Sequence, residues 1–341
     1  MSPATIHKLY TKNARVGFAL QGGGSLGSYV RGAANTLLGS KVIPVALTGT
    51  SSGSINASLI ASGLSGNGSP EQAMQQLNDY WNKEVAEHHA AGKCAWLNRY
   101  MSSTWPYPNL LQSRGSSRVL RAMRLPHMIE EQMERHIDWR AIHDNPNLSL
   151  FVNTVEEDLA TSRHRHIVYT GDSVNSQAVA KSSALPELGG YTDTQKPESM
   201  FWDGAMRANP CTKGILTSGI TDLIVVTVQR APKVAIQPVD QLEKSRNYRK
   251  APGKLVKEDF HHHVEWISQN HPDINLHSIA LVHEDHWDDT CKMNTNPEWL
   301  KDLEARGTAD AEQWLLDHGP DIGKKSSYSK AHHHFRNIQL G

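Results

Sequence analysis

Residues 16–56 read VGFALQGGGSLGSYVRGAANTLLGSKVIPVALTGTSSGSIN, and their pattern decides the fold. A short apolar run, Val16 to Leu20, ends at three consecutive glycines, Gly22, Gly23 and Gly24. A helix-compatible segment follows, then a second apolar run, Val42 to Leu47, which empties into Gly49-Thr50-Ser51-Ser52-Gly53. Apolar runs bounded by glycine read as buried strands, and strands alternating with helices read as a parallel sheet of an α/β fold. The second glycine cluster has the form G-x-S-x-G, a strained strand-to-helix turn that lifts its central serine above the sheet. Ser51 is that centre, so Ser51 and not Ser52 is the candidate nucleophile, with Gly49 and Gly53 permitting the turn.

Ester chemistry explains why two glycine clusters belong together. A serine attacking an ester builds a tetrahedral intermediate whose oxygen carries a full negative charge. Backbone N–H groups aimed at that oxygen contribute roughly 3 kcal/mol each. Glycine lets successive amides turn inward and a ligand approach the backbone closely. The helix starting near Ser52 adds its positive N-terminal end. Gly22, Gly23 and Gly24 are therefore the candidate oxyanion hole. A rival reading is a dinucleotide site, since Gly22, Gly24 and Gly27 spell G-x-G-x-x-G. That fingerprint needs an acidic residue about 20 residues on. No Asp or Glu occurs between Gly24 and Ser51, so the nucleotide reading lacks its partner.

The order strand, Gly-Gly-Gly loop, helix, strand, G-T-S-x-G resembles the patatin-like phospholipase family. Asp203-Gly204-Ala205 stands where that family carries its third motif, behind a small-residue and proline stretch, Ser183-Ala184-Leu185-Pro186. The resemblance implies a three-layer α/β/α sandwich with a mostly parallel central sheet. It also implies a catalytic dyad, Ser51 with Asp203 as base, acting on acyl esters of phospholipids or related lipids without a cofactor. One departure stands out: Leu26 occupies a position where many members carry Arg or Lys, and Arg31, further along the helix, is a candidate substitute. Two other readings stay open. One is an α/β-hydrolase with a Ser–Asp–His triad completed by His277 or His283; the other is a non-catalytic acyl-lipid-binding protein.

The remaining sequence bounds these readings. At 341 residues the chain can bury a large core. The hydrolase domain is expected over residues 12–285, with 286–341 a C-terminal helical extension packed on it. Lys plus Arg and Asp plus Glu both total 35, so a net charge of zero gives no electrostatic case for nucleic acid. Cys94, Cys211 and Cys291 are scattered packing residues and no disulfide framework. The N-terminal stretch has no apolar signal segment, and no apolar run is long enough to span a membrane, so a cytoplasmic location is expected.

Along the chain, Ser69 before Pro70 and Gln72 predicts a capped helix start. Leu148 to Val155 and Arg163 to Tyr169 predict a hairpin, and Val174 to Ser183 a helix leading into the Asp203 loop. Asp222 to Val228 and Leu276 to Val282 predict buried strands; Gln241 to Asn270 and Pro297 to His318 predict helices. The triplets His261-His262-His263 and His332-His333-His334 lack metal-ligand spacing, so no metal is expected. Finally, Arg114, Arg118, Arg121 and Arg124 fall on one helical stripe, behind an aromatic stretch from Trp96 to Tyr107. Residues 96–124 are therefore the candidate for peripheral contact with anionic membrane.

Overall fold

A computed structural model describes residues 14–87, 125–185, 190–228, 260–284, 287 and 289–328. The chain enters through β1 (Val16–Leu20), α1 (Gly27–Gly39), β2 (Pro44–Gly49), α2 (Ser52–Leu64) and α3 (Pro70–Asp79). After α4 (Leu125–His136) and α5 (Trp139–His143) come the hairpin strands β3 (Ser149–Asp158) and β4 (Arg163–Thr170). Next are α6 (Ser176–Ser182), β5 (Tyr191–Asp193), β6 (Lys196–Asp203) and β7 (Asp222–Thr227). α7 (Phe260–Asn270), β8 (Asn275–Ala280) and α8 (Pro297–His318) complete the described elements. The aromatic stretch and arginine stripe of residues 96–124 lie outside the described residues. So do most of Gln241 to Asn270 ahead of α7, and the His332 triplet.

One eight-stranded sheet runs in the order β5-β6-β3-β2-β1-β7-β8, with β4 also on β3. The pairs β1–β2, β1–β7, β2–β3 and β7–β8 are parallel. A parallel sheet is covered on both faces, which is why β1 and β7 are apolar at nearly every position. Phe18, Leu20, Ile224 and Val226 face one cluster, which Val30 and Leu37 of α1 and Leu300 and Leu303 of α8 complete. Ala19, Leu223 and Val225 face the other, closed by Val264 and Ile267 of α7. Helices thus cover both faces, as the resemblance implies for an α/β/α sandwich.

α8 packs on α1 through two glycines. A Cβ on Gly307 would lie 2.0 Å from Tyr29 O, and one on Gly32 would lie 2.1 Å from Glu304 O. Backbone meets backbone there, and only glycine permits it.

The edges of β3 hold the arrangement that matters for function. β4 runs along one edge of β3 over Phe151–Asp158. β2 pairs with Ser149–Val152 and β6 with Thr154–Asp158, and each range overlaps that of β4. A strand residue has two edges, so β2 and β6 share the other one. β2 is parallel to β3 and β6 antiparallel, so they run towards each other and stop on either side of Asn153.

The sequence reading took the Asp203 loop to follow directly from a helix; β5 and β6 intervene. β6 begins Lys196-Pro197-Glu198-Ser199, and its first three positions are exposed, so only Met200–Trp202 carry an apolar signal. Several other expected elements are present among the described residues. Ser69 caps α3 by accepting the Gln72 N–H at 3.2 Å, β3 and β4 form the hairpin, and α8 spans Pro297–His318.

Candidate active site

Thr50 and Ser51 join β2 to α2, and Ser51 is the N-cap of that helix. Its backbone sits at φ +55°, ψ −128°, a left-handed conformation costly for a side chain with a Cβ. Tight backbone packing holds it there. A Cβ on Gly49 would lie 2.2 Å from Gly53 O, and one on Gly53 would lie 2.2 Å from Leu20 O. The Ser51 N–H donates to Ser182 Oγ at 3.0 Å, tying the elbow to the last residue of α6. Ser51 is 8% exposed, at the N-terminus of a buried helix.

Asp203 ends β6 and is 1% exposed. Its N–H donates to Ala184 O at 2.8 Å, and its Oδ1 accepts the Ala205 N–H at 2.8 Å. Ser182 and Ala184, one behind each candidate catalytic residue, thus come from the same short stretch at the end of α6. Because β2 and β6 end against each other on β3, Ser51 and Asp203 leave the sheet from neighbouring strand ends. Ser51 and Asp203 are 152 positions apart in the sequence.

The glycine loop lies directly against the elbow. A Cβ on Gly22 would fall 2.3 Å from Thr50 O and 2.6 Å from Ser51 Cβ. Asn209 holds this glycine by both sides of its peptide pair: Gly22 N–H donates to Oδ1 at 2.7 Å, and Nδ2 donates to Gly22 O at 2.9 Å. Gly23 N–H donates to Ser52 Oγ at 3.1 Å. Gly24, at φ +60°, lies under Lys292, whose carbonyl would be 2.2 Å from an added Cβ. Ser25 Oγ donates to Cys291 O at 2.8 Å, so residues 291–292 form a roof over this loop.

Leu26, at the position of the family's basic residue, is fully buried in the core. Arg31, the candidate substitute, is 1% exposed and committed elsewhere. It donates to Glu304 Oε2 at 2.5 Å and to Asn82 Oδ1 at 2.9 Å, bridging α1 to α8. It is part of the helix packing and supplies no charge to the glycine loop.

His277 lies elsewhere in the sheet. Its Nε2 is 3.0 Å from Asp222 Oδ1 and its Nδ1 is 2.9 Å from Ser327 Oγ. Asp222 opens β7 level with Val16, whereas Ser51 follows the opposite ends of the strands. His283 is on the Ser51 side, with its Nε2 2.7 Å from Val228 O. His263 hydrogen-bonds Thr212. Among the described residues, no group of three or more His, Cys, Asp or Glu is placed to hold a metal ion.

Three supporting residues escaped the sequence reading: Asn153, Asn209 and Ser182. Asn153 carries a signal, since it is an amide directly after the apolar run Leu150-Phe151-Val152 of a buried strand, and a buried amide needs partners. Asn209 and Ser182 carry none, because their bonds are long-range.

The elbow serine, the buried aspartate and the glycine loop all lie at strand ends of the α/β sheet. The chain belongs to the patatin-like phospholipase family, whose sequence pattern matches residues 18–213. That family membership makes it a lipase- or phospholipase-type protein in general. Among solved structures, the chain is similar to VipD from Legionella pneumophila, with a TM-score of 0.43 and 14% identity, covering 91% of this chain and 68% of that one. It is also similar to ExoU, with a TM-score of 0.36 and 15% identity, covering 90% of this chain and 53% of that one. ExoU in complex with SpcU, from the type III secretion system of Pseudomonas aeruginosa, gives a TM-score of 0.32 at 14% identity, covering 89% and 53%. The chain thus spans about half the length of ExoU. No curated protein sequence matches it significantly. No helix among the described residues is long and apolar enough to cross a membrane.

Proposed function

We propose that the protein hydrolyses acyl esters of lipids through Ser51 and Asp203. Ser51 Oγ adds to the ester carbonyl carbon while its proton passes to the Asp203 carboxylate. The intermediate collapses, the C–O bond to the alcohol breaks, and the alcohol leaves with that proton. A water then gives a proton to Asp203, attacks the acyl-Ser51 carbonyl and releases the fatty acid, and Ser51 regains its proton. Neither step requires a cofactor.

The observation that carries this reading is the meeting of β2 and β6 on one edge of β3, which delivers the elbow serine and a buried carboxylate from two strand ends. Gly22 serves as the loop's anchor, because its N–H is engaged by Asn209. The oxyanion donors are then Gly23, whose N–H rests on the exchangeable Ser52 hydroxyl, and Gly24. The Ser52 amide joins them as one of the N-terminal donors that helix α2 leaves unsatisfied. The pairing of His277 with Asp222 and Ser327 favours the dyad over a triad built on that histidine.

Two experiments test the reading. A fluorophosphonate should label Ser51, identified by peptide mass, and Ser51→Ala should abolish both labelling and fatty-acid release from phospholipid and neutral-ester micelles. Labelling without turnover on any acyl ester would favour the binding-protein reading. Membrane docking through residues 96–124 is a separate part of the proposal. It requires Arg118→Glu/Arg121→Glu to weaken co-sedimentation with anionic vesicles at low salt.

A further inference from the structure

The edge of β3 where β2 and β6 meet has one residue in the gap, and it is Asn153. Its side chain is fully buried. Thr50, the residue before Ser51, donates its hydroxyl to Asn153 Oδ1 at 2.6 Å. Asn153 Nδ2 donates to Gly204 O, the residue after Asp203, at 3.2 Å, and to Ala208 O at 3.2 Å. One amide therefore touches the elbow with its acceptor and the aspartate loop with its donor. Gly204 lies so close that an added Cβ would meet Asn153 O at 2.4 Å.

We propose that Asn153 is the positioning residue that fixes Ser51 and Asp203 relative to each other. This rests on the Ser51–Asp203 reading above. No ladder hydrogen bond can do the job, because β2 and β6 bond to β3 and not to each other. An asparagine amide suits a link that accepts from one loop and donates to the other, because its acceptor oxygen and its two N–H donors sit on separate atoms. Aspartate would keep the acceptor but turn a charged oxygen towards two carbonyls. Alanine would remove the one side chain that joins the Thr50 hydroxyl to both the Gly204 and the Ala208 carbonyl. Misplacing a reacting group by about 1 Å costs on the order of 10²-fold in rate, so a link one residue from each partner acts on kcat.

The test compares Asn153→Ala, Asn153→Asp and Thr50→Val with wild type on p-nitrophenyl butyrate. Rates are expressed per serine titrated by fluorophosphonate, which removes any unfolded fraction. Wild type must label at Ser51 and turn over; failure there sinks the dyad reading and not this one. Given an active wild type, Asn153→Ala and Asn153→Asp should each lose about 30-fold or more in kcat per titrated site with KM within about threefold. Thr50→Val keeps both Nδ2 bonds but also removes the Thr50 Oγ1 bond to Ala208 O at 3.3 Å, and should lose less. The double variant Thr50→Val/Asn153→Ala should lose less than the product of the two single losses, because both act through the bond between Thr50 and Asn153. If kcat per titrated serine stays at the wild-type value, Asn153 merely supports the fold. Should the Asn153 variants not fold, Thr50→Val decides: an unchanged kcat per titrated site overturns the proposal, and a loss with KM preserved supports it.

Discussion

Gly22 and Ser51 are packed so closely that the smallest side chain on the glycine would fall 2.6 Å from the Ser51 Cβ, inside any real contact distance. The obstacle on the other side is the Thr50 carbonyl, at 2.3 Å, and backbone cannot rotate away. Gly22→Ala should therefore push the loop off the elbow, lowering stability by about 2 kcal/mol. Fluorophosphonate labelling of Ser51 should slow together with the change in thermal unfolding. A variant with native stability and labelling rate would show that the loop has room to move.

Ser51→Ala and Asp203→Asn should each lower ester hydrolysis by on the order of 10³-fold or more while unfolding curves stay near wild type. His277→Ala and His283→Ala should retain most activity in whatever fraction remains folded. Full activity in Asp203→Asn would remove the dyad, and a dead, folded His283→Ala would point to a histidine base.

Asn209 grips Gly22 by both its N–H and its carbonyl. In Asn209→Ala the glycine loop loses that hold, so the donors meant for the transition state are less well aimed. The expected outcome is a kcat reduced about tenfold or more, with KM little changed. A raised KM at unchanged kcat would mean that Asn209 serves substrate binding.

Burial pushes the Asp222 carboxyl up, but bonds from His277, the Gly323 N–H and Thr221 outweigh it and hold the pKa below its ordinary value. A carboxylate whose pKa is depressed by folding stabilises the fold above its unfolded value of about 3.9, and loses that contribution as pH falls through the lower folded value. Asp222→Asn should therefore be less stable than wild type at pH 7, and its stability should fall less steeply below about pH 4. Urea unfolding from pH 7 to pH 3 reads both effects. Parallel curves for the two proteins would show that Asp222 is not a source of the acid sensitivity.

The stretch from Val16 to Asn56 was legible because its strands are buried on both faces and its turns need glycine; both constraints act locally. Ser51 follows from G-x-S-x-G for the same reason. Asp203 is different. Nothing in Phe201-Trp202-Asp203-Gly204 separates a base from an ordinary turn, and only the resemblance singled it out. β6 was missed because its first three residues are exposed and polar or proline, which leaves too short an apolar run to read as a strand. Arg31 was misjudged because its partner, Glu304, is 273 positions away. The links made by Asn153, Asn209 and Ser182 are set by tertiary contacts that no local pattern encodes.

The head-to-head meeting of β2 and β6 makes the proposed catalytic pair a matter of alignment along a single track. Side chains on a strand repeat every two residues, so a slip of β6 by two positions along β3 would leave each side chain on the same face of the sheet. Yet the slip would carry Asp203 about 6.6 Å from its place beside the elbow, or drive it into Thr50. The alternation of faces alone therefore does not distinguish the working alignment from a dead one. What distinguishes them must be polar and specific to one step of the ladder, as the bond from Thr154 Oγ1 to Trp202 O at 2.7 Å is.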